Sequence, residues 1–124
     1  MQQQHGLIVE DDRGRWYYAL NSPIHSVGGD SKCDIRLVSQ VISPCCATLM
    51  QQFSDDGIAS YRIVDGKPQS KSSPQGLLIN GHRVWEHALQ HEDEIIFCPG
   101  ARAVYQVENL LTEEELPQDT FTLT

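Results

Sequence analysis

The side chains with the widest chemical reach are four cysteines, Cys33, Cys45, Cys46 and Cys98, and five histidines, His5, His25, His82, His87 and His91. Thiolates and imidazoles bind zinc and related metals, and a thiol or hydroxyl beside an imidazole is the heart of a nucleophilic enzyme. The spacing favours neither. Structural zinc sites pair their ligands across about two to four intervening residues, whereas Cys45 and Cys46 are adjacent and would point to opposite faces of a strand. His87 and His91 are four apart, a pair only if they share a helix, and their polar surroundings read instead as a loop entering the last hairpin. No Gly-x-Ser-x-Gly elbow frames Ser43 or Cys45. The sequence therefore predicts no catalytic residue, no metal and no cofactor. Cys33, Cys46 and Cys98 are expected as small buried hydrophobes, with all four thiols reduced.

The scaffold must come from 124 residues, 40% hydrophobic and 21% charged, which is enough for one core and one domain. Nine Lys and Arg against seventeen Asp and Glu give a net charge of −8, which repels phosphate backbones and argues against nucleic acid or an anionic membrane as partner. The first residues lack the basic start and apolar run of a signal peptide, so a cytoplasmic location is expected.

Hydrophobic periodicity is short throughout. Strand-length segments fall at 7–10, 16–20, 34–37, 48–53, 58–65, 77–79, 82–84, 94–97 and 103–107. Between them Asp55-Asp56-Gly57, Asp65-Gly66 and Asn80-Gly81 supply the positive-φ positions that tight turns need. The expected fold is all-β, a two-sheet antiparallel sandwich with Leu7, Val9, Val27, Ile35, Leu37, Ile63, Ile79, Ile95, Phe97 and Val104 inside, and Trp16 and Trp85 in the core or at its rim. Residues 67–75 read as a mobile polar loop. The domain is expected over 1–107, with 108–124 an acidic tail that either caps one helical turn at Thr112 to Glu115 or is disordered.

Four stretches, in order, resemble the signatures of forkhead-associated (FHA) domains. Gly28-Gly29 followed by Asp34-Ile35-Arg36-Leu37 is similar to Gly-Arg, a short loop and Asp-Ile-x-Leu. Ser43-Pro44-Cys45-Cys46-Ala47 resembles Ser-Arg-x-His-Ala, and Gly76-Leu77-Leu78-Ile79-Asn80-Gly81 resembles Gly-Thr-x-x-Asn-Gly. Leu89 with Asp93-Glu94-Ile95-Ile96-Phe97 is similar to the Leu-x-x-Gly-Asp-x-Ile-x-Phe closing strand, with one residue more.

The resemblance implies about eleven strands and a set of loops at one end that binds a phosphothreonine peptide without catalysis. Carried over position by position, the family's phosphate and peptide contacts become Gly29, Ser43, Pro44, Leu77 and Asn80, so only Ser43 and Asn80 keep their chemistry. Guanidinium forks supply the charge-assisted bonds that compensate for desolvating a dianion, and Gly29 and Pro44 supply none. Cys46 takes the place of a bracing His. The reading is a non-enzymatic protein-interaction module, in signalling or assembly, that binds another protein or a peptide segment independently of phosphothreonine. Its expected binding residues are Gly28, Gly29, Lys32, Ser43, Pro44, Leu77, Asn80 and Gly81. The alternative is a weak phosphothreonine reader that uses Ser43, Asn80 and the nearby lysines Lys32, Lys67 and Lys71; with Arg36, these lysines otherwise read as solvated charge.

Overall fold

The structure, a computed structural model, describes residues 2–42, 46–66 and 77–110. Eleven strands run in chain order: β1 (Gln2–Asp11), β2 (Gly14–Leu20), β3 (Ile24–Gly28), β4 (Ile35–Arg36), β5 (Ala47–Phe53), β6 (Ala59–Asp65), β7 (Leu77–Ile79), β8 (His82–Val84), β9 (Glu86–Ala88), β10 (Glu94–Cys98) and β11 (Ala101–Leu110). They form a six-stranded sheet, β2-β1-β11-β10-β7-β8, packed on a five-stranded sheet, β4-β3-β5-β6-β9. Every pairing is antiparallel except β3 with β4, which run parallel because the 29–34 loop carries the chain back before Ile35 aligns with Val27. The expected loop at 67–75 and the helical turn at Thr112 to Glu115 lie outside the described residues.

The period-2 alternation that marks these segments as strands sets the packing. Leu7 and Val9 of β1, Val27 of β3, Leu49 of β5, Tyr61 and Ile63 of β6, Ile79 of β7, Ile95 of β10 and Ala103 and Tyr105 of β11 all face inward and are buried. Nine of the ten expected core residues are there. Val104 is the correction: it pairs with Ile8 and Glu94 on the outer face, and its neighbours Ala103 and Tyr105 fill the core instead. Cys46 is buried as expected, but Cys33 and Cys98 are only partly so. Trp16 packs against the core and Trp85 is exposed.

Two strands went unread in the sequence for a common reason, a histidine on the inward face. In β3, His25 sits between Ile24 and Ser26, and its buried ring packs near Tyr18 and Tyr61, with Nε2 accepting a hydrogen bond from the Ser22 amide at 3.2 Å. In β9, His87 lies opposite Ile63, so the segment read as a polar loop is an edge strand of the five-stranded sheet. The buried tyrosine hydroxyls also find partners, as burial requires. Tyr61 donates to the Ser22 carbonyl at 2.7 Å, and Tyr105 meets His5 Nδ1.

Candidate functional site

One end of the sandwich gathers turns from both sheets. On the five-stranded sheet, the Cys46 amide donates to the Val27 carbonyl at 2.8 Å, Leu37 donates to Gly28 at 2.8 Å, and Gly66 donates to Cys46 at 2.9 Å. The ends of β3, β4 and β6 and the start of β5 are thereby fixed side by side. The 29–34 loop is held at both ends by carboxylates. Asp30 Oδ1 accepts from the Lys32 amide at 2.8 Å, and Asp34 Oδ2 accepts from the Ser26 amide at 2.9 Å and its hydroxyl at 3.1 Å. The bonds from Ser26 hold the Asp34 carboxyl below the usual carboxylate range.

Asp11, on the six-stranded sheet, ties the two sheets together at this end. Its carboxylate, fully enclosed, accepts from the Val38 amide at 2.7 Å and the Arg13 amide at 2.8 Å, and pairs with the Arg13 guanidinium at 3.0 Å. Burial pushes the Asp11 pKa up, but those bonds outweigh it and the net shift is downward. Arg13 in turn donates from Nη2 to the Arg36 carbonyl at 2.6 Å and lies 4.7 Å from the Trp16 ring centre. Ser39 donates to the Pro99 carbonyl at 2.9 Å, closing the same end from the β10–β11 turn. Asp12, Ser39, Gln40, Val41 and Pro99 line a shallow hollow of about 380 Å³ there.

Of the expected binding residues, Gly28, Gly29 and Lys32 lie at this end, with Lys32 exposed. Ser43 and Pro44 lie outside the described residues. Leu77 opens β7 near this end, with its side chain 1% exposed and part of the core. Asn80 and Gly81 are elsewhere. Asn80 lies opposite Glu94 at the start of β10, whereas Cys98 at the end of β10 leads into the Pro99 turn. Four strand residues, about 13 Å, separate the two levels.

At that far level Asn80, with φ 51°, and Gly81, with φ 85°, form the tight hairpin turn that the sequence predicts. The Asn80 amide donates from Nδ2 to Asp93 Oδ1 at 2.8 Å, and its Oδ1 accepts from the Glu94 amide at 2.9 Å. Asp93 also accepts from the Gln90 amide at 2.8 Å and pairs with His87 Nε2 at 3.0 Å. Burial pushes its pKa up, and the bonds from Gln90, Asn80 and His87 bring the net shift down. This cluster locks β7, β9 and β10 together and is structural.

A family model for the FHA domain matches residues 25–98, more than half of the chain. The chain belongs to the FHA domain family. The Slr1951 protein from Synechocystis has a solved structure that is 41% identical, with 82% of this chain and 96% of that one covered and a TM-score of 0.76. The yeast Dun1 FHA domain, solved with a doubly phosphorylated peptide derived from Rad53, shares the fold at 19% identity, 93% and 83% coverage and a TM-score of 0.65. A second Synechocystis protein, sll1895, is 26% identical over 100 residues, which is 81% of this chain and 14% of its own length. FHA domains are protein-interaction modules that usually bind phosphothreonine peptides.

Two further apolar residues of this FHA domain are exposed near that end. Val41, 63% exposed, rims the hollow between the β4–β5 and β10–β11 connections. Trp85, 38% exposed, follows β8, and its carbonyl accepts from the Asp65 amide at 2.8 Å, which places it beside the end of β6. Val41 falls just ahead of the second FHA signature, where attention goes to Ser43 and Pro44. Trp85 carries no motif at all. Among the described residues no group of three or more His, Cys, Asp or Glu is arranged to hold a metal, and no helix is long and apolar enough to cross a membrane.

Proposed function

We propose that this FHA domain binds its partner through the β3–β4, β4–β5 and β6–β7 end of the sandwich, and that it does so without phosphothreonine. The observation that carries this reading is the charge and chemistry of that end. Residues 11–13 and 28–42 contain three cations, Arg13, Lys32 and Arg36, against four carboxylates, Asp11, Asp12, Asp30 and Asp34. Arg13 Nε and Nη2 are spent on Asp11 and the Arg36 carbonyl, and the guanidinium lies over the Trp16 ring. With Gly29 and Pro44 at the arginine positions, the guanidinium forks that would offset the desolvation of a dianion are missing from those two positions.

What the same end offers instead is apolar. Val41 and Trp85 are exposed, and apolar contact of this kind suits an uncharged, extended segment or a protein edge better than a phosphate. The loops sit on a rigid scaffold, so their contacts can change at little cost to the core. Gly28, Gly29, Lys32, Ser43, Pro44, Val41 and Trp85 form the proposed contact set, and no enzymatic step is assigned to it.

Affinity capture from lysate treated or untreated with phosphatase tests this reading. Equal recovery of the same partner supports it, with a loss of at least about 1–2 kcal/mol for Val41→Asp combined with Trp85→Ala. Recovery that vanishes after phosphatase, and that Lys32→Ala weakens, would favour the lysine-based phosphothreonine reader instead.

A further inference from the structure

Among the described residues four strands have a free edge, and three of them are stubs: β4 has two residues, β8 and β9 three each. The fourth, β2, has seven residues with no proline and no bulge in its pairing with β1. The direction of its backbone groups follows from the opposite side of the sheet. Tyr105 of β11 exchanges hydrogen bonds with Glu92 and Asp93 at 2.7 and 2.9 Å, so its amide and carbonyl face away from β1. Leu7, opposite Tyr105, must then turn its own groups toward β2, where it meets Tyr18. By alternation Arg15, Tyr17 and Ala19 present their amides and carbonyls outward, along the free edge.

Proteins usually cover such an edge with charge or bulk. Here the side chains that would do so are drawn back over the sheet. Arg15, the one charge on the strand, reaches across to Glu10 of β1 at 2.9 Å. The Tyr17 ring leans over β1 as well, since a Cβ added at Gly6 would fall 2.2 Å from its hydroxyl oxygen. Ala19 has only a methyl group. In a chain of net charge −8, β2 carries no carboxylate.

We propose that β2 is a self-pairing edge, on which a second copy of this chain docks antiparallel about a two-fold axis at Tyr17. That register sets Tyr17 opposite Tyr17 and Arg15 opposite Ala19 of the other copy, forms about six inter-strand hydrogen bonds and joins the two six-stranded sheets into one. No like charges meet across it. Registers centred at Arg15 would oppose two arginines and shorten the overlap, so the charge pattern selects the Tyr17 axis.

Sedimentation velocity of the 124-residue chain from about 10 µM to about 1 mM tests this, because self-association is concentration-dependent by mass action. The average mass should rise toward that of two chains. Tyr17→Pro, which removes an outward-facing amide together with the ring over Gly6, should return it to one chain, and Tyr17→Ala, which removes the ring alone, is its control. Ala19→Lys should weaken the dimer at least tenfold at low salt, and Ala19→Glu should tighten it, because residue 19 faces Arg15 of the other copy. The Ala19 pair decides the matter even if the proline variant fails to fold. A single-chain mass across the whole range would overturn the proposal, as would a dimer indifferent to both Ala19 substitutions.

Discussion

Replacing Asp11 removes the carboxylate on which the β1–β2 turn and the β4–β5 connection both hang. Asp11→Ala strands the Val38 and Arg13 amides, which it held at 2.7 and 2.8 Å. A hydrogen bond to a charged group contributes about 1.5–3 kcal/mol, and the partly exposed position of these amides puts both near the lower end. The ion pair adds only a few tenths of a kcal/mol, because the Arg13 side chain is 46% exposed. The sum is about 3 kcal/mol, or roughly 10 °C in melting temperature for a domain of this size. Asp11→Asn keeps one acceptor oxygen and should lose about half as much.

Thermal and urea unfolding measure the loss, and hydrogen exchange at Val38 shows whether it is local. The pH dependence supplies an internal control. Because the Asp11 carboxyl is held below its ordinary value, its contribution is fully present above about pH 4 and disappears as the pH falls through the lowered folded pKa. The gap between wild type and Asp11→Ala should therefore narrow progressively as the pH falls below about 4. A melting temperature within about 2 °C of wild type at pH 7 would refute the idea that this carboxylate braces the loop end.

Three further outcomes follow from the same contacts. Burial lowers the pKa of both His5 and His25, partly offset at His25 by the Asp34 charge, so the folded state holds them neutral. Stability should be full above about pH 6.5 and decline as the pH falls below it, and a melting temperature flat from pH 7.5 to about 5 would contradict this. Asn80→Ala should cost about 2 kcal/mol through its two side-chain bonds and the positive φ, with Asn80→Gly milder, and urea midpoints will separate the two. Neither substitution should alter partner binding, since that turn lies away from the loop end. Cys46, 3% exposed, should resist alkylation in the native protein while Cys98 reacts, as mass spectrometry after timed labelling will show.

Much of the sandwich is written in the period-2 pattern, because a sheet with one buried face forces apolar residues onto alternate positions. The segments around Leu7, Ile63 and Ile95 are legible for that reason. The pattern fails where polar side chains face inward and are satisfied by distant partners. His25 hides β3, and His87, turned toward Asp93, hides β9. Val104 is ambiguous in the sequence because Val104-Tyr105-Gln106-Val107 offers an apolar residue on each face, and only pairing with β10 chooses between them. The site was legible as four motifs in order. Their spatial arrangement was not, since nothing in Gly76 to Gly81 says that β7 carries Asn80 away from the loops that Leu77 enters. Asp11 was invisible for the same reason: its importance comes from Val38, twenty-seven residues away.

The central claim concerns what the loop end reads. An isotope-labelled sample titrated with a degenerate phosphothreonine peptide library, and in parallel with the same library unphosphorylated, tests it at the level of single amides. The account predicts that the Gly28, Gly29 and Lys32 resonances respond no more strongly to the phosphorylated library, with no phosphate-dependent binding tighter than about 1 mM, or about −4 kcal/mol. Micromolar binding that shifts those three amides only when the threonine is phosphorylated would contradict it.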